Sequence, residues 1–152
     1  MRADEQPWAR LTPHDVVRLL SHVTVPWWIA GGWALELTGD PPGPHADVDV
    51  AVLRPDHERL LDELRGWDLA IARDGELRPW RGGPVELPAN AVWARPTPTD
   101  AWHLDVKIEL VDGDEWVYRR DPSIRIPVAE IGAVTDGVPH LRRELAELYA
   151  RR

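Results

Sequence analysis

Cysteine is absent from all 152 residues, which excludes disulfides and thiolate metal sites. Long hydrophobic runs are absent too, since nothing approaches the roughly 20 apolar residues that a membrane-spanning helix needs. The opening MRADEQPWAR has no apolar stretch of the secretory kind, so a soluble, cytoplasmic protein is expected. Basic residues are in the minority, with 18 Lys and Arg against 26 Asp and Glu, for a net charge of −8. A nucleic-acid surface would need a basic patch, so nucleic acid is not an expected partner. Phenylalanine is missing and tyrosine occurs twice, whereas tryptophan occurs 9 times. Tryptophan therefore either serves as the aromatic of the core or lines a stacking pocket for a ring-shaped ligand.

What is present is globular: 43% hydrophobic and 29% charged residues, enough for one domain with a real core. Residues 1–11 read as a loose N-terminal arm and 12–152 as the domain. Thr12-Pro13-His14-Asp15 has the N-cap, the proline and the acid of a capping box, opening a helix to about His22. An apolar strand, Trp27–Ala30, a Gly31-Gly32 turn and a short helix over Trp33–Thr38 follow. The segment Asp40–Pro44 holds three prolines and reads as a fixed loop. A strand Asp47–Leu53 comes next, then an amphipathic helix from Pro55 with Leu60, Leu61 and Leu64 on one side, closed by Gly66.

Strands are expected at Trp67–Arg73, Ala91–Arg95 and Trp102–Val111, the last turning at Asp112-Gly113 into Glu115–Arg119. Gly75 to Asn90 reads as mostly irregular, and Pro139–Arg152 as a helix. Together these elements predict an α/β (α+β) fold, a mixed sheet flanked by helices.

The chemistry centres on Trp27–Arg54. Side chains two apart on a strand share a face, so Asp47 and Asp49 stand together while Ala46, Val48 and Val50 face the other way. Paired carboxylates hold Mg²⁺, and backbone N–H groups at a helix start hold phosphate. A Mg²⁺–nucleotide site is the reading these residues raise together. Taken singly, Gly31-Gly32 fits a tight turn and Asp-Val-Asp fits a solvated strand face.

The combination of an apolar strand, Gly-Gly and a following Asp-Val-Asp-Val resembles the nucleotidyltransferase superfamily related to DNA polymerase β. The strings GGWALEL, HADVDVAVLR, WHLDVKIELVDGDEWVYRRDP and VPHLRRELAELY resemble its small aminoglycoside and lincosamide branch. The resemblance implies transfer of a nucleoside monophosphate from an NTP, ATP first, to a hydroxyl of a small molecule, with two Mg²⁺ ions. It places metal ligands and catalytic residues at Asp47, Asp49 and Asp105, with Glu109 as the alternate third carboxylate. It places nucleotide contacts at Gly31, Gly32, Trp33 and His45.

Asp105 and Glu109 cannot serve one metal pair together. On a strand they lie about 13 Å apart, against about 4 Å between two such metals. Glu36 matches an acidic position of the group and equally fits a helix surface. Arg119-Arg120 fit phosphate neutralisation or a charged strand end. The sequence departs from the group at Gly43, where an arginine is common. That departure keeps open a weakly catalytic nucleotide- or ligand-binding module, and a toxin-like transferase acting on a protein or RNA end is a further alternative. Oligomeric state has no sequence signal.

Overall fold

The computed structural model describes residues 1–150, which form one mixed sheet of ten strands with four α-helices around it. α1 (Pro13–Leu19) starts where the capping box predicts. The Thr12 hydroxyl accepts from the Asp15 amide at 3.2 Å, and the Asp15 carboxylate accepts from the Thr12 amide at 2.8 Å. The helix stops at Leu19 because the next residues turn to meet a later helix. The Thr24 amide and hydroxyl both donate to the Glu63 carboxylate, at 2.9 and 2.6 Å.

β1 (Trp28–Ala30) runs straight into α2 (Gly31–Leu37), so Gly31 and Gly32 are the first residues of that helix and not a turn ahead of it. β2 (Asp49–Leu53) starts two residues later than expected. Asp47 and Val48 lie just ahead of it, and the Val48 carbonyl accepts from the Asp105 amide at 3.0 Å. A 3-10 turn (Arg54–Asp56) leads to α3 (His57–Glu63) and then β3 (Asp68–Arg73).

The stretch expected to be irregular contains a strand, β4 (Glu76–Pro79). It pairs antiparallel with β3 across Asp74-Gly75, both at positive φ (52° and 76°), the backbone that a two-residue hairpin turn requires. β5 (Ala91–Arg95), β6 (Leu104–Asp112) and β7 (Glu115–Val117) follow, the last two joined at Asp112-Gly113. β8 (Arg125–Pro127) pairs with β7. β9 (Gly132–Thr135) and β10 (Val138–Leu141) make another hairpin at Asp136-Gly137.

The closing helix, α4 (Arg143–Ala150), is shorter than expected. Pro139–Leu141 belongs to β10, which pairs with β1 through Ile29 and His140. Residues 151 and 152 of the expected helix lie outside the described residues. The strand order β4-β3-β5-β6-β2-β1-β10-β9 is parallel at β2/β6 and β1/β10 and antiparallel elsewhere.

The period-2 pattern of β2 divides the core. Val48, Val50 and Val52 face α1 and α3 together with Val106 and Ile108, against Leu60, Leu61 and Leu64. Ala51 and Leu53 face the other way, against Trp116, Tyr118 and the α4 residues Leu145 and Leu148. Asp49, Asp105, Lys107 and Glu109 lie on this second face, where the cover of α4 gives out.

The first eleven residues run along the sheet. Backbone bonds link Ala3 to Gly75, Leu77 to Met1, Trp102 to Pro7 and Ala9 to Trp102, at 2.7–3.0 Å. Trp8 packs edge-on against Trp93 with ring centroids 4.7 Å apart. Trp8→Ala removes an aromatic pair and part of the cover of buried Trp102. It is expected to cost about 2 kcal/mol of unfolding free energy in urea denaturation.

Candidate active site

Sheet register assembles the site. Trp93, Asp105, Asp49 and Ala30 are direct neighbours across β5, β6, β2 and β1. Two residues further along, Lys107 stands between Ala91 and Ala51. Asp47, just before β2, joins the first row. The carboxylates of Asp47, Asp49 and Asp105 each offer an oxygen within 4.8 Å of the others. Glu109 is not part of this group. It is buried one row beyond Lys107, and its oxygens accept from the Trp116 indole and the Tyr149 hydroxyl, both at 3.3 Å.

Burial raises all three carboxyl pKa values. Asp49 is pushed from 3.8 up to about 7, first by burial and then by the charge of Asp105. Asp105 is raised by burial against the pull of Lys107, and Asp47 by burial against Lys107 and His45. Burial works to lower the pKa of Lys107, but the carboxylates of Asp105 and Asp49 outweigh it and hold the amine above its ordinary value. Its Nζ lies 3.0 Å from Asp105 Oδ2.

Asp49 Oδ1 and Asp105 Oδ1 are buried and have no hydrogen-bond partner. An unpaired buried acceptor is costly, and oxygen donors of this kind are what Mg²⁺ takes. The three carboxylates therefore fit a divalent cation.

The remaining candidates surround this group. Gly31 has φ +62°, and a Cβ there would collide with the Asp49 carboxylate. Only glycine tolerates both conditions. A Cβ on Gly32 would meet His45 Nδ1 at 3.0 Å. The His45 ring stacks on Trp33 with centroids 4.1 Å apart. Its Nε2 lies 3.0 Å from Glu36 Oε1, which also accepts from the Gly43 amide at 3.1 Å. Those bonds hold the Glu36 carboxyl below its usual range. His45, Trp33 and Glu36 thus brace the proline-rich loop that delivers Asp47.

A cavity of about 410 Å³ opens beside the carboxylates, lined by Gly31, Gly32, Lys107, Arg119, Arg120 and Tyr149 among others. The two guanidinium groups lie 5.4 and 5.5 Å from the Tyr149 ring centroid. Lys107 was visible in the sequence only as the residue between Asp105 and Glu109, and its role as counter-charge to Asp105 and Asp49 came from the packing. Tyr149 carried no signal beyond the apolar stripe of the last helix.

Residues 13–83 match the profile of the aminoglycoside-2''-adenylyltransferase family. The match spans a little under half of the chain and includes Gly31, Gly32, Asp47 and Asp49. The lincosamide antibiotic adenylyltransferase LnuA, solved with lincomycin bound, superposes with a TM-score of 0.56 at 16% identity over 91% of this chain and 83% of that one. An inferred nucleotidyltransferase of Thermotoga maritima gives 0.52 at 13% identity, over 93% and 86%. ANT(2'')-Ia, solved with adenylyl-2''-tobramycin, gives 0.47 at 17%, over 85% and 65%. No curated protein sequence matches significantly. The two superpositions above 0.5 show the nucleotidyltransferase fold.

Two outcomes follow. Gly31→Ala displaces Asp49 and should weaken Mn²⁺ binding about tenfold or more in a calorimetric titration. Gly43→Ala, with open space around it, should leave binding unchanged. The second concerns pH. A carboxyl with a raised folded pKa stabilises the fold below its unfolded value and loses that contribution as pH rises through the folded one. For Asp49 the window runs from 3.8 to about 7. In EDTA, Asp49→Asn should therefore raise Tm by about 4 °C at pH 8, a gain that fades as the pH falls through that window.

Proposed function

We propose that this protein transfers a nucleoside monophosphate from Mg²⁺–ATP, or another NTP, to a hydroxyl of a small molecule of the aminoglycoside or lincosamide kind, with pyrophosphate leaving as the α–β anhydride bond breaks and the hydroxyl proton passing to Asp105. One observation carries the reading: Asp47, Asp49 and Asp105 converge beside the glycine start of α2, and Asp49 and Asp105 each keep an unpartnered buried oxygen. Two Mg²⁺ ions held by these carboxylates would supply charge neutralisation at the phosphoryl oxygens. Every other role belongs to side chains and backbone of the chain itself.

Gly31 and Gly32, lacking side chains, let a triphosphate approach the backbone of α2. Lys107, Arg119 and Arg120 set positive charge along the same cavity, which suits polyanionic phosphate. The volume of about 410 Å³ is in the range of small-molecule sites. Tyr149 offers a ring face there. Asp105 is the third carboxylate because it shares the row of Asp49, whereas Glu109 is engaged with Trp116 and Tyr149. The net charge of −8 would draw a polycationic acceptor by long-range attraction.

Among the described residues no helix is long and apolar enough to cross a membrane. The cytoplasm, where ATP and Mg²⁺ are available, is the proposed compartment.

Radiolabelled ATP and GTP offered with tobramycin and lincomycin test the reading. Label should move to one of these acceptors only when Mg²⁺ is present. Asp105→Asn should lower the rate on the order of 10³-fold, while Glu109→Gln keeps most of it. If the Glu109 variant alone loses activity, the third carboxylate has been misassigned.

A further inference from the structure

Lys107 and Asn90 are shared between two cavities, one on either flank of the carboxylate row. The first is the cavity of Gly31, Gly32 and the two arginines. The second, about 430 Å³, is lined by Trp93, Asp105, Asp74, Gly75 and Ala3 among others. Apart from Asp105, Lys107 and Asn90, its walls come from parts of the chain that play no role in the nucleotide reading, chiefly the β3–β4 hairpin, β5 and the N-terminal arm.

Asp105 is 5% exposed, and its unpartnered Oδ1 belongs to a residue lining this second cavity. Trp93 stands directly across the sheet from Asp105 and is only half-buried. Edge-on contacts from Trp8 and Trp102, at 4.7 and 5.8 Å, hold its indole from behind. Asp74 marks the rim at the hairpin turn, and its carboxylate pairs with Arg73 at 3.3 Å.

We propose that the acceptor seats in this second cavity, with the Trp93 indole as the platform for a ring-shaped polyol and the acceptor hydroxyl directed to Asp105. This assignment rests on the transfer reading above and names where its second substrate binds. The chemistry follows from the lining. A pyranose or cyclitol ring has an apolar C–H face that an indole covers and a hydroxyl edge that a carboxylate accepts. The opposite cavity adds Arg119 and Arg120 to the shared Lys107 and suits phosphate instead, whereas Arg73 of the second cavity is paired with Asp74. Entry from the two flanks brings acceptor and nucleotide to the same carboxylates without sharing a pocket. The N-terminal arm then matters for function, because Trp8 sets the tilt of Trp93 and Ala3 forms part of the wall.

Indole ¹H–¹⁵N resonances of the full chain provide the test, with the Trp93 signal assigned by its loss in Trp93→Phe. Tobramycin and lincomycin are the probes, each at millimolar concentration, followed by Mg²⁺–ATP. The expected result is that at least one probe, added before any metal or nucleotide, shifts the Trp93 indole, whereas Mg²⁺–ATP shifts the Gly31 and Gly32 amides. In transfer assays Trp93→Leu should raise the acceptor KM about tenfold with kcat and the KM for ATP within about twofold, and Trp93→Phe should recover most of the loss. Unchanged melting temperature in Trp93→Phe keeps the comparison clear of folding defects.

A probe that shifts only the Gly31, Gly32, Arg119 or Arg120 amides overturns the proposal, as does a Trp93 signal that neither probe moves. Silence at Gly31 and Gly32 with Mg²⁺–ATP would instead sink the transfer reading. The Trp93 signal would still decide the ring-binding cavity by itself.

Discussion

Three carboxylates held within 4.8 Å of one another, two of them with a buried oxygen that nothing satisfies, set the terms for everything around them. Burial raises the pKa values of Asp47, Asp49 and Asp105, and for Asp49 and Asp105 the charge of a neighbouring carboxylate adds to it. Lys107 supplies a single positive charge to the group. One amine against three carboxylates leaves a deficit that a divalent cation would fill. The three carboxylates fit such a cation, and without one the two unpartnered buried oxygens strain the fold.

The strain is tolerated because the scaffold is rigid where the carboxylates attach. Asp49 and Asp105 sit on neighbouring parallel strands whose other face is packed with Val48, Val50, Val106 and Ile108 against α1 and α3. Asp47 is not on a strand at all. It reaches the group because the proline-rich loop before it is pinned by Glu36, through the Gly43 amide and His45, and by the stacking of His45 on Trp33. Gly43, where the sequence departs from the group it resembles, contributes its backbone amide to this brace. Positive charge near the site comes from Lys107, Arg119 and Arg120, all reached from other parts of the chain.

The tryptophans divide by task. Trp116 is fully buried and donates to Glu109, locking that carboxylate into the second core. Trp33 braces the loop. Trp8, Trp93 and Trp102 form a separate aromatic cluster beneath the N-terminal arm, on the flank of the site away from Gly31. The expectation of a core aromatic thus holds for Trp102 and Trp116, while the stacking-pocket reading rests on the proposal for Trp93.

Local pattern alone determined the capping box of α1, the alternation of β2, the apolar stripe of α3 and the hairpin at Asp112-Gly113, because each depends on neighbours within a few residues. The same Asp-Gly signal at Asp74-Gly75 and Asp136-Gly137 also marks hairpins, yet the flanking sequence obscured it. Polar and proline-containing segments become β4 and β10 because a sheet edge or a parallel neighbour supplies their hydrogen bonds. The pairing of Asp47 with Asp49 was legible from spacing two, and Gly31 from its place before a helix. Register decided the rest. A parallel β2/β6 pair puts Asp105 beside Asp49 and sends Glu109 to Trp116 and Tyr149, while an antiparallel β5 brings Trp93 to the same row. Residues more than 40 positions apart meet there only because long-range strand pairing, which no local propensity encodes, fixes which side chains face one another.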